Sequence, residues 1–279
     1  MLKEKTKTKK THLGKVTNIE FAARDLYLIS FTSNDITNIQ PGQFVSILCD
    51  NLTLRRPFSV AGFCKETKEI SVYFKLKGEG TRYISSLRIG DNIDFIGPLG
   101  NGFHFEDEED KKSLLIGAGV GFAPILYLKQ FLPKATLVGA FTSSADIPSP
   151  FGRGWNPLAR NELRDSGEGF INYNEFDEIV TNDGSQGKKG TIIDHLNDYI
   201  NTYKPEKIYA CGPEIVLKAV AEAGKKSGIE TEVAMEKIMA CSLGVCRGCV
   251  IQIAEQGMPK NATICHDGPV FKGGEVIWR

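Results

Sequence analysis

The sequence predicts a β plus α/β protein in three parts: an antiparallel β-barrel, a parallel-sheet α/β domain and a small cysteine-rich C-terminal module. Three observations carry that prediction. Short strand-like runs broken by turn residues fill the first third, strands and helices alternate through the middle, and four of the seven cysteines fall in the last forty residues. The parts are expected at residues 11–106, 107–232 and 233–279, behind a basic tail at residues 1–10.

The tail, Met-Leu-Lys-Glu-Lys-Thr-Lys-Thr-Lys-Lys, has no apolar stretch after it, so no export leader is expected. It reads as a solvated end rather than a docking arm. The barrel strands are expected at Leu26–Phe31, Gln43–Leu48, Ile70–Leu76 and Asn92–Ile96, with Pro41-Gly42, Lys65–Lys68 and Gly90-Asp91 as punctuation. Closure of such strands protects their edges.

An acidic link, Glu106–Asp110, leads to a different rhythm. A strand at Ser113–Ile116 is followed by a glycine-rich turn, a helix from near Pro124, and a strand at Ala135–Phe141. A helix at Thr191–Asn201, a strand at Lys207–Ala210 and a helix at Pro213–Lys226 complete the alternation. That order implies a parallel sheet with crossover helices. The Pro-, Gly-, Ser- and Arg-rich stretch at residues 143–169 breaks it and reads as a surface insertion, a functional lid being the alternative.

Composition narrows the function. Lys+Arg and Asp+Glu are both 34, so a zero net charge gives no electrostatic footprint for nucleic acid. No apolar run reaches the roughly 18 residues of a membrane span. An odd cysteine count without an export signal points away from disulfides, toward metal or redox chemistry in a reducing, cytoplasmic setting.

Cys241, Cys246 and Cys249 have the spacing C-x4-C-x2-C, and Cys265 follows after fifteen residues. This is the plant-type spacing for [2Fe–2S] ligation, in which a glycine-containing loop wraps an anionic cluster with its N–H groups. A structural zinc site is the rival, but zinc ribbons pair two C-x2-C knuckles and this chain has one. A Rieske centre needs two histidines, and only His266 is near. Cys49 and Cys64 read as small buried hydrophobes. Cys211, before Gly212-Pro213, is open between a nucleotide site and a buried thiol.

Two stretches suit nucleotide cofactors. Gly117-Ala-Gly119-Val-Gly121 follows a strand and opens a helix, where backbone N–H groups bind pyrophosphate. The G-x-G-x-x-G fingerprint is broken by Phe122, so a plain tight turn stays open as a reading. Arg55-Arg56-Pro57-Phe58-Ser59 offers an arginine fork, an aromatic ring and a hydroxyl at a barrel strand start, and Gly80-Thr81 a capped helix start.

Together these motifs resemble the ferredoxin-reductase superfamily, in which R-x-[YF]-S binds flavin, G-x-G-x-G-x-x-P opens a pyridine-nucleotide domain and C-G-P flanks the nicotinamide. Tyr209–Glu214, the run Met239–Cys249 and the stretch Cys265–Phe271 narrow the resemblance to the branch whose members are electron-transfer subunits serving a separate dihydroorotate-oxidising subunit. It spans the chain apart from the tail and the insertion. The resemblance implies FAD at Arg56, Pro57, Phe58, Ser59, Phe74, Lys75, Leu76, Gly80 and Thr81. It implies NAD at Gly117, Gly119, Gly121, Cys211, Gly212 and Pro213, and a [2Fe–2S] cluster on Cys241, Cys246, Cys249 and Cys265. It further implies an FMN-containing catalytic partner, two of each subunit forming a heterotetramer. Phe58 departs from the aliphatic residue usual there, and no acidic residue closes the strand ending at Phe141, so NAD over NADP follows from the resemblance alone. An NADH-dependent ferredoxin–NADP reductase subunit or a sulfide-dehydrogenase-like flavoprotein remains the alternative with the same cofactors. A zinc-stabilised binding module is the alternative of another class.

Overall fold

The structure, a computed structural model, describes residues 10–148 and 176–278. Six strands close a barrel: β1 (Thr11–Ala23), β2 (Leu26–Thr32), β3 (Phe44–Ile47), β4 (Arg56–Cys64), β5 (Glu69–Lys75) and β6 (Asn92–Leu99), paired antiparallel in the order β1-β2-β5-β4-β3-β6. A short helix α1 (Glu79–Ser86) plugs in between β5 and β6. The long β1 has no clean alternation in sequence. It carries irregularities at Val16/Asn18 and Phe21/Ala23 and curves to pair with β2 along most of its length and with β6 at its start. Bulges of this kind let one strand turn a barrel corner at the cost of the two-residue pattern.

The second unit is a seven-stranded sheet. Strands β7 (Ser113–Ala118), β8 (Thr136–Phe141), β9 (Glu178–Thr181), β10 (Lys188–Lys189), β11 (Lys207–Cys211) and β12 (Glu230–Ala234) are parallel, in the order β10-β9-β8-β7-β11-β12. The helices α2 (Phe122–Lys129), α3 (Ile192–Tyr203) and α4 (Glu214–Ser227) belong to this unit. Thr191 and Asp194 cap α3 reciprocally, and Gly228 ends α4 in the left-handed region.

After the cysteine loop, β13 (Val250–Glu255) and β14 (Met258–Thr263) form a hairpin, and β15 (Val270–Lys272) adds antiparallel to the free edge of β12. Sheet and cysteine module therefore share a continuous hydrogen-bonded edge. Residues 149–169 of the predicted insertion lie outside the described residues. Before them a turn at Ser144–Asp146 is held to the barrel, where Asp146 pairs with Arg24 at 2.7 Å.

Helix α2 positions the site. Seven of its eight residues are buried, because it lies between the barrel and the sheet instead of on a surface. Its Phe122, Ala123 and Leu126 share one apolar cluster with Leu28, Ala61 and Tyr73 of the barrel and with Leu115 and Leu137 of the sheet. The Tyr127 hydroxyl donates to the Ile39 carbonyl at 2.9 Å. The turn before α2 is thereby pressed against the barrel face that bears Phe74.

Candidate functional site

One cleft lies where barrel, sheet and cysteine module meet. It holds about 920 Å³ of space, its solvent-open mouth included. Pro57, Phe58 and Ser59 of β4, Phe74 and Lys75 of β5 and Thr81 of α1 line one wall. Val120 and Ala123 come from the glycine turn and α2, and Met235, Glu236, Lys237, Met239 and Pro269 close the far side. Residues predicted for one cofactor thus converge with pieces of the other two motifs around a single apolar-walled cavity, the usual character of a cofactor site.

Each predicted residue has a definite place. Phe58 leans on Phe74 with ring centroids 5.7 Å apart and the planes tilted by 54°, so the aromatic departure is accommodated by ring packing. Leu76, just past β5, donates its N–H to the Asp25 carbonyl at 2.7 Å and does not line the cleft. Thr81 Oγ1 accepts the N–H groups of Lys77 at 2.9 Å and Gly78 at 3.1 Å, fixing the start of α1. Gly80 is the cradle: a Cβ there would stand 2.7 Å from the Arg56 Nε, so only glycine lets the guanidinium lie against the helix start. A cation beside free helical N–H groups fits a diphosphate. The arginine fork itself is split, since Arg55 turns away to pair with Asp94 at 2.6 Å.

The glycine turn and the Cys211-Gly212-Pro213 element are packed on one another. Cys211 lies in register with Gly117 on neighbouring strands, and a Cβ on Gly121 would stand 2.4 Å from the Cys211 carbonyl oxygen. Gly119 is left-handed (φ 55°) with open space beyond its Cα, leaving room for a ligand over the turn. The Cys211 thiol is buried; burial first, then the nearby Glu236 carboxylate, push its pKa up, so it is a neutral thiol. Cys49 and Cys64 are likewise buried.

The four module cysteines sit in a loop whose N–H groups face sulfur. Leu243 and Cys246 donate to Cys241 Sγ at 3.4 Å each, Gly244 to Cys265 Sγ at 3.1 Å and Gly248 to Cys246 Sγ at 3.4 Å. Cys249 and Cys265 have their sulfurs 3.3 Å apart in the interior, while Cys246 is exposed. Burial raises the Cys241 thiol, but the Cys246 and Leu243 N–H groups outweigh it and bring it down to about 6. Burial and the neighbouring Cys249 push Cys265 up. Among the described residues no three His, Cys, Asp or Glu side chains converge on a single-ion site. A donor set of thiols ringed by N–H groups fits an anionic sulfide-bridged cluster.

The module is fastened to the barrel. Ser46 of β3 and Ser242 of the cysteine loop, both buried, hydrogen-bond at 3.0 Å. Asn101 donates its N–H to the Gly268 carbonyl at 2.7 Å and its Nδ2 to the Asp267 carbonyl at 3.0 Å. Asp267 holds the Thr263 N–H and hydroxyl at 2.6 and 2.8 Å. Pro269 then faces the cleft and Phe271 enters the core, so the Asp267–Phe271 motif is the hinge pin of the module.

Sequence reasoning missed Phe44, Tyr73, Lys77, Glu236 and Met239 of the cleft wall. For Glu236 a signal existed, since it lies two residues past the C-terminal end of a parallel strand, Ala234, where such sheets bind ligands. Its carboxyl opens onto the cleft, yet the surrounding protein pushes its pKa up against the opposing pull of Lys77.

Comparison with known proteins agrees with this geometry. Residues 236–277 match the family described as the iron–sulfur cluster binding domain of dihydroorotate dehydrogenase B. The chain is 33% identical to the dihydroorotate dehydrogenase B (NAD(+)) electron transfer subunit of Caldanaerobacter subterraneus subsp. tengcongensis, over 85% of this chain and 87% of that one. To the subunit of the same name from Streptococcus mutans it is 31% identical, over 96% and 98%. A solved NADH-dependent reduced ferredoxin–NADP oxidoreductase superposes with a TM-score of 0.77 at 25% identity, covering 95% of this chain and 90% of that one. An Amycolatopsis cytochrome P450 reductase shares the fold at a TM-score of 0.60 and 20% identity, covering 78% and 66%.

Fold and cleft define an iron–sulfur flavoprotein oxidoreductase of the ferredoxin-reductase type. Within that class, the chain belongs to the family of dihydroorotate dehydrogenase B (NAD(+)) electron transfer subunits. Among the described residues no helix is long and apolar enough to cross a membrane.

Proposed function

We propose that this chain carries electrons from an FMN-containing, dihydroorotate-oxidising catalytic subunit through a [2Fe–2S] cluster and FAD to NAD+, in pyrimidine (UMP) biosynthesis in the cytoplasm. The assembly is a heterotetramer with two of each subunit. When bound, FAD exchanges electrons in pairs or singly, and the cluster one at a time.

The chain's own residues hold and orient. Pro57, Phe58, Ser59, Phe74 and Lys75 form the wall for the flavin ring, with Leu76 fixing the backbone beyond β5. Arg56, Gly80 and Thr81 take the diphosphate at the start of α1. Gly117, Gly119 and Gly121 open the nucleotide turn, and Cys211, Gly212 and Pro213 close its nicotinamide end. Cys241, Cys246, Cys249 and Cys265 ligate the cluster. The observation that supports the reading most is the shared wall: Met239, two residues before Cys241, and Pro269, four after Cys265, face the same cleft as Phe74.

The test is reconstitution with the FMN-containing subunit. Dihydroorotate must then reduce NAD+ only when both subunits are present. The likeness to the NADH-dependent ferredoxin–NADP oxidoreductase supports the competing reading. A chain that ignores the dihydroorotate-oxidising subunit and exchanges electrons between NADPH and ferredoxin establishes that reading instead.

A further inference from the structure

A carboxylate often decides which dinucleotide a parallel-sheet site accepts. It bonds the free adenosine ribose 2′-hydroxyl and repels a 2′-phosphate. That carboxylate usually closes the second strand of the unit. Here the second strand, β8, ends at Phe141 and continues as Thr142-Ser143-Ser144. The next acid along the chain, Asp146, is 6% exposed and already engaged, with Arg24 at 2.7 Å and Lys75 at 3.6 Å.

The third strand supplies a carboxylate from alongside. Past β9 the chain keeps running beside the end of β8: Asn182 donates its N–H to the Phe141 carbonyl at 3.1 Å and Asp183 to the Thr142 carbonyl at 3.4 Å. Asp183 therefore stands next to the residue at which the missing acid belongs. Its Oδ1 accepts the Ser185 hydroxyl at 2.6 Å and the Ser185 N–H at 3.0 Å, while Ser185 Oγ accepts the Ser144 N–H at 2.7 Å. Those bonds tie the ends of β8 and β9 together. They also hold the Asp183 carboxyl below the usual range, the Ser185 hydroxyl contributing most.

The loop that carries it is built, not slack. Thr181 is fully buried and its hydroxyl donates to the Gln186 carbonyl at 2.7 Å while accepting the Gln186 N–H at 3.1 Å. Asp183 itself is exposed at the C-terminal edge of the sheet. In the order β9-β8-β7 the phosphate-binding turn lies two strands away, about 10 Å at normal strand spacing. The adenosine half of a dinucleotide extends in that direction, away from the switch point between β7 and β11.

We propose that Asp183 is the specificity-determining residue of this site, accepting the adenosine ribose hydroxyl of NAD and excluding 2′-phosphorylated NADP. The proposal rests on the nucleotide assignment made above. Arg24, the cation beside Ser143 at 3.4 Å, is held on Asp146 at 2.7 Å.

The experiment is calorimetric titration of the full chain with ADP-ribose and with 2′-phospho-ADP-ribose, neither of which needs turnover. The wild type is expected to bind the first and discriminate against the second. Asp183→Ala should lose roughly tenfold in ADP-ribose affinity, the size of a charge-assisted hydrogen bond. Asp183→Asn should keep much of that affinity but relax the discrimination. With NADH and NADPH the kcat/KM ratio should narrow about tenfold in Asp183→Ala, through KM. If the wild type binds ADP-ribose and both variants discriminate as it does, the role of Asp183 is refuted and the nucleotide site stands. If the wild type binds neither ligand, the nucleotide site and the proposal fall together.

Discussion

The Ser46 and Ser242 hydroxyls share a hydrogen bond of 3.0 Å although 196 residues separate them, and it joins the barrel strand bearing Phe44 to the loop bearing the cysteines. Both side chains are buried, so either one alone would be an unsatisfied polar group. Ser46→Ala or Ser242→Ala should each cost about 1–3 kcal/mol in urea unfolding, and the double variant less than their sum. Strict additivity would show that the two hydroxyls do not cooperate.

Lys207 and Glu232 form an interior ion pair at 3.2 Å, 6% and 2% exposed, which also receives the His104 N–H at 2.9 Å. Lys207→Met leaves the Glu232 charge in the sheet with His104 as its remaining neighbour of that group. The expected cost is about 3–5 kcal/mol. Lys207→Met combined with Glu232→Leu should recover most of it, which denaturant midpoints of the wild type and the two variants will test.

Glu236 has a raised folded pKa, caused chiefly by the protein packed around its carboxyl, although the side chain is open to the cleft. The folded state therefore holds its proton more tightly than the unfolded chain. The resulting stability is fully present below the ordinary glutamate value of 4.5 and is lost as pH rises through the folded value. Glu236→Gln should thus become the more stable protein, relative to wild type, as pH climbs above 4.5, with unfolding curves across that range as the readout. A difference that does not change with pH would show that the carboxyl is not perturbed.

Gly80 gives Arg56 its place against the start of α1, since a Cβ there would stand 2.7 Å from the Arg56 Nε. Gly80→Ala should displace the guanidinium and weaken FAD retention about tenfold or more, the size of one charge-assisted contact to a diphosphate. Arg55→Ala should instead release Asp94 in the barrel wall, lowering the melting temperature with little change in FAD affinity. Flavin release on dilution separates the two outcomes.

Much of this was legible along the chain, and the exceptions share a cause. The barrel run at Ile70–Leu76 alternates and the run at Leu26–Phe31 is nearly all apolar, and both are bounded by turn residues, so their strands were readable. The hairpin strand Met258–Thr263 was not, because it begins Met-Pro-Lys-Asn with all four exposed, which reads as a loop. The cysteines announced themselves by spacing. The Arg55-Arg56 pair read as one fork, and only the packing of Asp94 against Arg55 divides it. Phe44, Ser46 and Asp183 become meaningful through partners far away in sequence, and no local pattern marks such pairings.

The measurement that bears most directly on the relay is spectroscopic. Anaerobically purified chain should carry about two iron atoms and one FAD, with a single-electron [2Fe–2S] resonance on reduction. Cys249→Ala should abolish the resonance and the iron while the flavin absorbance and NADH oxidation by the flavin persist. Zinc in place of iron, or a resonance that survives loss of Cys249, would contradict the assignment of the four cysteines.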